Sequence, residues 1–302
     1  MTLAPDALSL CMIVRNEERQ LQACLDSVSG LVGEIVLVDT GSTDGTGEIA
    51  AHNGAKWIPF DFTFVDFAAA RNHGLAHATG RWILALDADE TLDRAGIPLI
   101  EALVVRYENA GYYAERHNRS GQTSTTDYAV RLFPNRTEHR YRGRVHETVD
   151  ASILALGGRL RKTEIRIDHN FSSDPESRRS RNRWYIEILM EEIAADPTDD
   201  TRLDFLAAEY HQLEMFTEAA EIAERIVVAR PEDPRAHLNA GIYHLMYKPD
   251  MAQAHKDFTR ALELKPGYAA AASFLETLTA REKEDGAEPG FTGQARGPTF
   301  RG

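Results

Sequence analysis

The chain has 302 residues, 43% of them hydrophobic and 27% charged, which is typical of a soluble globular protein with one large or two ordinary domains. Its net charge of −13 argues against general nucleic-acid binding, and it has no apolar run of the about 20 residues that a membrane span needs. Residues 1–6 lack the basic and apolar parts of a signal peptide, so we expect a cytoplasmic protein with Cys11 and Cys24 as buried thiols.

The first ninety residues alternate between apolar, strand-like runs and helical patterns. We predict strands over residues 8–14, 34–38, 56–59 and 82–86, and helices over residues 21–28 and 67–77 and in a short segment that ends near Gly54. Gly80 is the expected stop signal of the helix over residues 67–77. Strands separated by helices pair in parallel, and strands that are apolar on both faces need helices on both sides. This pattern therefore predicts an α/β sheet covered on both faces.

Residues 112–170 have a different pattern. Short strands are predicted over residues 112–115, 128–133 and 164–168, separated by polar, arginine-rich loops. We expect these strands to extend the sheet in mixed orientation.

From about residue 177 the pattern is helical. Pro197, Pro231 and Pro266 lie 34 and 35 residues apart, and small residues such as Ala219 and Ala254 recur at matching places, which is the tetratricopeptide period. One helix over residues 178–195 precedes these repeats and one over residues 267–280 follows them. Residues 183–285 hold 21 acidic and 11 basic side chains, a net of −10. We therefore predict an α/β domain over residues 1–175, a tetratricopeptide-like helical domain over residues 176–283 and a disordered tail over residues 284–302.

An acidic segment, Asp87-Ala88-Asp89-Glu90, directly follows the predicted strand over residues 82–86. Ligands of open parallel sheets bind beyond the carboxyl ends of the strands. If the segment is extended, Asp87 and Asp89 point the same way and need a positive charge between them. A divalent cation that also binds a ligand's phosphates would supply this charge, and a solvated acidic loop is the alternative. Glu90 is interpreted as a helix-start residue.

A second segment, residues 38–46 (VDTGSTDGT), follows the strand over residues 34–38. Asp39 would lie at the same sheet edge, where it could bind a base or ribose, and Gly41 would let the backbone approach a ligand closely. The segment lacks the lysine of a P-loop and the glycine and acid of an EF-hand. Residues 45–50 match the dinucleotide fingerprint, but six residues after the strand end, so a nicotinamide dehydrogenase is an alternative.

A third segment, residues 66–74 (DFAAARNHG), carries small residues that allow its helix to pack closely on the sheet. Arg71 lies on this helix. We expect it to be a cation within reach of the acidic edge, and a surface arginine is the alternative.

In this order and spacing, residues 9–18 (SLCMIVRNEE), 38–46, 70–72 (ARN) and 86–90 (LDADE) resemble the motifs of family 2 glycosyltransferases. The resemblance covers roughly residues 8–172 and implies a GT-A fold, a Rossmann-like domain that uses nucleotide-diphosphate sugars. The helical repeats resemble those of a bacterial subgroup that joins this domain to tetratricopeptide repeats.

The resemblance implies a UDP-linked sugar donor and Mg²⁺ or Mn²⁺ as cofactor. Asp39 would bind the base with Glu17 beside the nucleoside, and Arg71 would hold the aspartate motif and the nucleotide. Asp87 would lie near the ribose and the metal, and Asp89 would ligate the metal. The other donor-binding residues that the resemblance implies are Val14, Asn16, Gly41, Ser42, Asn72 and Ala88.

Related enzymes invert the anomeric centre, which requires one base. The family often supplies it as Glu-Asp, but no such pair lies between residues 91 and 180. Residues 143–147 (GRVHE) resemble a Gly-x-x-His-Glu motif of the repeat-bearing subgroup, which indicates Glu147 as base, with His146 as the alternative and a structural role for the pair left open. His169 would complete the metal shell. Arg131 and Arg144 either face the diphosphate or belong to solvated surface.

The sequence thus predicts a metal-dependent, inverting glycosyltransferase that moves a sugar to an acceptor hydroxyl or thiol. The acceptor could be a peptide or protein recruited by the helical repeats, which could also bind a protein partner or self-associate. A cell-envelope glycan or a lipid-linked acceptor is the alternative. The alternative from a different class is a tetratricopeptide scaffold with an inactive glycosyltransferase-like domain.

Overall fold

The computed structural model describes residues 3–4, 6–106, 108–120, 123–170, 174–246 and 250–285. They divide into two compact units, the second of which begins at Asp174. Within these residues, every helix is too short or too polar to cross a membrane. The first two residues of the predicted tail, 284 and 285, continue a helix, and the rest of that prediction lies outside the described residues.

The first unit is an α/β domain, and its described residues form one eight-stranded sheet. The strands are β1 (Leu8–Val14), β2 (Glu34–Asp39), β3 (Lys56–Pro59), β4 (Trp82–Ala85), β5 (Glu90–Leu92), β6 (Ala110–Ser120), β7 (Thr123–Pro134) and β8 (Arg159–Asn170). The helices are α1 (Leu21–Ser27), α2 (Thr46–His52), α3 (Phe67–His77), α4 (Ile97–Val104) and α5 (Asp150–Ala155). The strand order is β3-β2-β1-β4-β7-β6-β8-β5.

The sheet has a parallel half and a mixed half, as predicted. Strands β1 to β4 pair in parallel, whereas β7 is antiparallel to β4 and to β6. Strand β8 is parallel to β6, and β5 is antiparallel to β8. Alternate residues of β1 face opposite sides: Leu10 packs into the core shared with α1, α2 and α4, and Cys11 into the core shared with α3 and α5. Both cysteines are buried and free, as expected.

The register of the parallel strands sets the position of the acidic residues. Val14 at the end of β1 pairs with Asp39 at the end of β2. On the other side of β1 lies β4, which ends at Ala85. Because the carboxyl ends of these three strands lie at one edge, the segments that carry Asn16, Asp39 and Asp87 leave the sheet together.

The predicted loops between residues 112 and 133 are wrong. Strands β6 and β7 are 11 and 12 residues long and form one hairpin. Arg116 faces Asp127 across this hairpin, with Nε and Nη2 donating to the two carboxylate oxygens at 2.7 and 2.8 Å. A cross-strand ion pair thus stabilises the hairpin at a place where apolar and polar residues do not alternate in the sequence.

Gly80 has a different role from the one predicted. Helix α3 ends at His77, three residues earlier. A Cβ atom on Gly80 would lie 2.5 Å from Ser9 Oγ and 2.7 Å from Ser9 N. Gly80 is therefore required by the close approach of its backbone to β1.

The second unit consists of helices. They are α6 (Pro175–Ala195), α7 (Thr201–Gln212), α8 (Phe216–Ala229), α9 (Pro234–Met246), α10 (Met251–Leu264) and α11 (Ala269–Asp285). Pro197, Pro231 and Pro266 lie in the connections, and Ala219 and Ala254 are fully buried. Gly241 lies against Phe258, whose ring carbon would be 2.7 Å from an added Cβ. The small residues therefore stand where paired helices pack, as a tetratricopeptide arrangement requires.

Candidate active site

The loop after β2, residues 40–46 and called here the 40s loop, is tied to the end of β1. Asp39 Oδ1 accepts a hydrogen bond from Ser42 N at 2.9 Å. Asn16 Oδ1 accepts from Thr43 N at 2.8 Å, while Asn16 N donates to Ser42 Oγ at 3.0 Å. Asn16 has a φ of +58°, a conformation that asparagine tolerates better than most residues. The predicted donor-binding residues Asn16, Asp39 and Ser42 thus form one hydrogen-bonded group.

Gly41 is needed for its backbone conformation. Its φ is +107°, and an added Cβ would meet no atom within 4 Å. From the sequence, this glycine is explained by a close approach of the backbone to a ligand. In the structure its positive φ is the property that other residues could not supply without strain.

Val14 and Ala88 have their side chains in the core, with exposed fractions of 1% and 4%. The carbonyl oxygen of Val14 accepts hydrogen bonds from Thr40 N and Oγ1 at 3.1 and 3.2 Å. Neither side chain faces the surface, so any contact of these two residues with a donor would involve backbone atoms.

Asp87 is held between two arginines. Arg71 Nη2 donates to Asp87 Oδ1 and Arg131 Nη2 donates to Asp87 Oδ2, both at 2.7 Å. Arg71 Nε also donates to Glu147 Oε1 at 2.6 Å, and Arg131 Nη2 also contacts Glu90 Oε1. We call the five residues Glu147, Arg71, Asp87, Arg131 and Glu90 the ion-pair chain. It joins the predicted base to the aspartate motif through side chains that are largely buried.

The local conformation of the aspartate motif differs from the prediction. Residues 87–90 form a turn, with Glu90 N donating to Asp87 O and Asp87 N donating to Glu90 Oε2, both at 3.0 Å. Asp87 and Asp89 are therefore not neighbours on one face of an extended strand. Glu90 is fully buried in β5 and does not start a helix, and Arg131 is 5% exposed, so it is not solvated surface.

The charges of the ion-pair chain stabilise one another. Burial alone would favour the neutral carboxyl, but Arg131 and Arg71 hold the pKa of Asp87 well below its usual value. Burial would likewise favour a neutral Arg71, yet Asp87 and Glu147 raise its pKa well above the usual value. Asp87 and Arg71 are therefore both ionised at neutral pH, and Arg71 is a largely buried cation, which decides against the surface alternative.

Glu17 has the opposite electrostatic environment. Burial, together with the negative charges of Asp89, Asp87 and Asp44, raises its pKa to about 7. Glu17 therefore lies in a region of concentrated negative charge, which favours cations.

Glu147 is carried by a constrained loop. Arg142 and Thr148 close it with two backbone hydrogen bonds of 2.9 and 3.1 Å, and His146 has a φ of +50°. Arg144 anchors the loop outside the ion-pair chain. Its carbonyl accepts from Phe67 N at 2.8 Å, and its Nε donates to Val65 O at 2.9 Å. Arg144 thus fixes the loop on the start of α3, the helix that carries Arg71.

Asn72 connects the same two elements. Its Nδ2 donates to Tyr141 O at 3.0 Å, and its Oδ1 accepts from Tyr141 N at 2.8 Å. The Arg71 guanidinium lies 5.4 Å from the centre of the Tyr141 ring. The amide of Asn72 is therefore engaged with the backbone, and its predicted contact with the donor stays a prediction.

His169 lies beside Asp89. Its Nε2 is 3.1 Å from Asp89 Oδ2, and its Nδ1 is 2.8 Å from Asn118 Oδ1. Asn118 Nδ2 in turn donates to Asp127 Oδ2 at 3.0 Å. Sequence reasoning missed Arg116, Asn118 and Asp127, because it ended the first strand of the hairpin at residue 115 and began the second at residue 128. Within the described residues, no group of three or more His, Cys, Asp or Glu side chains is arranged to hold a metal.

Residues 45–50 do not form a phosphate-binding turn directly after a strand. Gly45 caps α2, six residues after β2 ends, and its N–H donates to Glu18 Oε2 at 3.0 Å. The dehydrogenase alternative therefore has no support in the fold.

A Rossmann-like parallel half, a mixed extension and an Asp-x-Asp motif at the carboxyl edge together define a GT-A domain. The chain belongs to glycosyl transferase family 2, whose family model matches residues 9–161. The domain thus confirms the family and the GT-A fold that the four motifs predicted, and it is followed by a helical repeat unit.

Similar proteins include one that is named for its TPR repeats and one that is named as a glycosyltransferase. A TPR repeat-containing protein of Synechococcus elongatus (Synpcc7942_0270) is 42% identical over 149 residues, which are 49% of this chain and 37% of that protein. Glycosyltransferase SunS of Bacillus subtilis, derived from the SPbeta prophage, is 26% identical over 232 residues, which are 72% of this chain and 52% of SunS. The chain therefore spans about half of these relatives or less. The crystal structure of S. aureus TarS 1–349 with UDP-GlcNAc covers 92% of both chains at 12% identity, with a TM-score of 0.48.

Proposed function

We propose that this chain is a metal-dependent, inverting glycosyltransferase that moves a sugar from a UDP-sugar to an acceptor hydroxyl or thiol. One observation carries the proposal. At the carboxyl edge of the sheet, Asp89 faces His169, while Arg71 joins Asp87 to Glu147. A pair suited to hold a cation and a carboxylate suited to act as a base therefore lie near Asp87, and this arrangement supports the proposal.

The 40s loop would hold the nucleoside of the donor. Asp39 is the proposed partner of the base, with Glu17 beside the nucleoside and Ser42 within the same hydrogen-bonded group. One oxygen of Asp39 already accepts from Ser42 N, which orients the carboxylate at the sheet edge. Gly41 gives the loop its shape.

Asp89 and His169 are suited to hold Mg²⁺ or Mn²⁺. Asp89 Oδ2 is 3.1 Å from His169 Nε2, so the two side chains would be close enough to hold one cation together. Two protein ligands leave other positions for phosphate oxygens, which is the usual arrangement for Mg²⁺ at nucleotide sites. A bound cation would offset the negative charge that develops on the departing diphosphate. Asp87, which both arginines hold, would act near the ribose and the cation.

Glu147 would be the general base. Its carboxylate takes the proton from the acceptor as the acceptor oxygen or sulfur bonds to the anomeric carbon. The bond from that carbon to the diphosphate breaks, and the nucleoside diphosphate leaves with the bonding electrons, so the configuration inverts. Arg71 engages Oε1 of Glu147 and thereby orients the carboxylate for this transfer. His146, next in the constrained loop, is the alternative base.

Donor hydrolysis tests the proposal. In the presence of Mn²⁺ the chain should hydrolyse one UDP-sugar, and Asp89→Ala should abolish this activity. Asp26→Ala, which removes an exposed carboxylate of α1, is the matched control and should keep it. A thermal-shift screen of nucleotide sugars with and without Mn²⁺ would identify the donor, because a ligand that binds the folded state raises its stability. If the unmodified chain neither turns over a donor nor binds UDP, the inactive-scaffold alternative is favoured.

The helical unit would recruit a peptide or protein acceptor. Stacked helical repeats form surfaces suited to such ligands, and this unit is compact by itself. Truncation before Asp174 should then raise the KM for the acceptor and leave donor hydrolysis unchanged. Unchanged acceptor kinetics in a truncated chain that still hydrolyses the donor would show that the repeats do not recruit the acceptor, and would favour a glycan or lipid-linked substrate.

A further inference from the structure

A row of polar side chains crosses three strands behind Asp89. Strand register places Asn118 of β6 beside His169 of β8, and Arg116 of β6 opposite Asp127 of β7. His169 and Asn118 are nearly buried, with exposed fractions of 8% and 6%. The proposed reaction assigns no role to Asn118, Asp127 or Arg116.

The contacts in this row determine which atoms donate. The Asp127 carboxylate receives two hydrogen bonds from Arg116, at 2.7 and 2.8 Å, and it can only accept. Asn118 must therefore turn its amide nitrogen towards Asp127, which leaves its oxygen facing His169 Nδ1 at 2.8 Å. Since this oxygen also only accepts, Nδ1 of His169 must carry the hydrogen.

We propose that Arg116, Asp127 and Asn118 are positioning residues, which hold His169 in the Nδ1–H tautomer with its Nε2 lone pair directed at Asp89. They thereby complete the protein half of the cation site. The inference rests on the proposed metal dependence, which it deepens by naming the residues that prepare the ligand.

The geometry gives a physical reason for this arrangement. In the Nδ1–H tautomer, Nε2 and Asp89 Oδ2 are two acceptors 3.1 Å apart, and they need a shared positive charge. Either a proton shared by the two atoms or a divalent cation held by both would supply it. Rotating the ring or the amide would leave buried polar atoms without partners, so the row resists reorientation. Residues that accept a hydrogen bond from the other ring nitrogen commonly orient a metal-ligating histidine.

Mn²⁺ affinity of the full chain, measured by calorimetry with and without UDP, tests the inference. Asn118→Leu should weaken Mn²⁺ binding by about 10- to 100-fold. Asn118→Asp combined with Asp127→Asn exchanges amide and carboxylate, keeps an acceptor towards Nδ1, and should restore the affinity. The matched control is Asn135→Leu, which removes an amide that donates to Ala78 O and Gly80 O, away from His169. It should leave the affinity unchanged.

The tautomer itself is visible by ¹⁵N NMR of the imidazole at pH 8 without metal. In the unmodified chain, Nδ1 of His169 should be protonated and Nε2 not, and Asn118→Leu should remove this preference. An Nε2–H tautomer in the unmodified chain, or unchanged Mn²⁺ affinity in Asn118→Leu, would overturn the positioning role.

The two proposals fail differently. If the unmodified chain binds no Mn²⁺ with or without UDP, the metal dependence is wrong and the cation half of this inference falls with it. The NMR result then still decides whether Asn118 sets the tautomer. If Mn²⁺ binds and is lost in His169→Ala but not in Asn118→Leu, the metal site stands and the positioning role is wrong.

Discussion

The 40s loop and the ion-pair chain lie at the same sheet edge but are built in different ways. In the 40s loop, the Asp39–Ser42 hydrogen bond joins residues three positions apart, and its contacts are mostly between backbone N–H groups and polar side chains. In the ion-pair chain, Arg71 and Glu147 are 76 residues apart, and Arg131 and Asp87 are 44 apart. The first combines a local turn with hydrogen bonds to Asn16, 26 and 27 residues away, and the second is a largely buried charge network whose members come from strands and helices far apart in the chain.

This difference predicts different costs of substitution. Loss of one hydrogen bond in a partly exposed loop costs about 1 kcal/mol. Removing one partner of a buried ion pair costs about 3–5 kcal/mol, because the remaining charge stays buried and unpaired. The ion-pair chain should therefore dominate the stability of the site, and the 40s loop should set its shape.

The largest effect is expected for Arg131→Met. This change leaves Asp87 with one arginine, and it leaves the fully buried Glu90 with the Asp87 N–H and with Arg116, 3.4 Å away, as its remaining cation. The free energy of unfolding, measured by urea denaturation, should fall by about 3–5 kcal/mol. Arg81→Met is the control, because this side chain is 42% exposed and its ion pair with Asp6 is long at 3.8 Å, so the expected loss is below about 0.5 kcal/mol. Equal losses in the two variants would contradict the comparison.

Arg71→Lys should show whether the ion-pair chain needs the contacts of Arg71 with both Asp87 and Glu147, or only a positive charge at this position. A lysine keeps the charge but has one nitrogen, whereas Arg71 donates from Nη2 to Asp87 and from Nε to Glu147. We expect a loss of about 2 kcal/mol in stability and a fall in donor-dependent kcat on the order of 100-fold, since the base loses its orientation. Activity within a factor of two of the unmodified chain would mean that Arg71 does not position Glu147.

Gly41→Ala tests the 40s loop. At a φ of +107°, an alanine is strained, so stability should fall by about 1–2 kcal/mol and donor affinity should weaken with it. Gly47→Ala is the control, because Gly47 lies in α2 and its added Cβ would be 3.7 Å from Trp57, an ordinary contact. This variant should be neutral or slightly stabilised. A calorimetric scan and a UDP titration of both variants measure the difference.

The smallest effect concerns pH. The pKa of Glu17 is raised to about 7 in the folded chain, against about 4.5 when unfolded, so the folded state holds the additional proton between these values. This group therefore stabilises the fold below about pH 4.5, and that contribution is lost as the pH rises through 7. Because Glu17 is partly exposed, the loss should be about 1 kcal/mol. Glu17→Gln should remove this slope and be more stable than the unmodified chain at pH 8. If the free energy of unfolding changes with pH in the same way in the unmodified chain and in Glu17→Gln, another group causes the slope.

Local patterns predicted the parallel half of the domain closely. The runs at residues 8–14 and 56–59 and the helix at 67–77 coincide with β1, β3 and α3, because short strands and helices are encoded largely by neighbouring residues. The long hairpin was missed, because Arg116 and Asp127 satisfy each other across it and so hide the alternation of apolar residues.

The site was predictable in part for the same reason. Asp39, Asp87 and Asp89 follow strands directly, so the sheet edge they share could be inferred from order alone. The contacts of Asp87 could not, since Arg131 lies on a later strand and the sequence pattern predicts Glu90 as a helix-start residue. The pairing of His169 with Asp89 was only suggested by the family resemblance, and its support by Asn118 was not anticipated.

The sequence by itself determined the family, the GT-A topology of the first unit, the helical repeats of the second, and the carboxylates at the strand ends. These depend on periodicity and on motifs a few residues long. Tertiary structure alone decided which charges meet: that Arg71 and Arg131 share Asp87, that Glu90 is buried, and that Asn118 faces His169. The reason is physical, since the interaction between two charges depends on their distance and burial, and both are set by strand order and register across residues far apart in the chain.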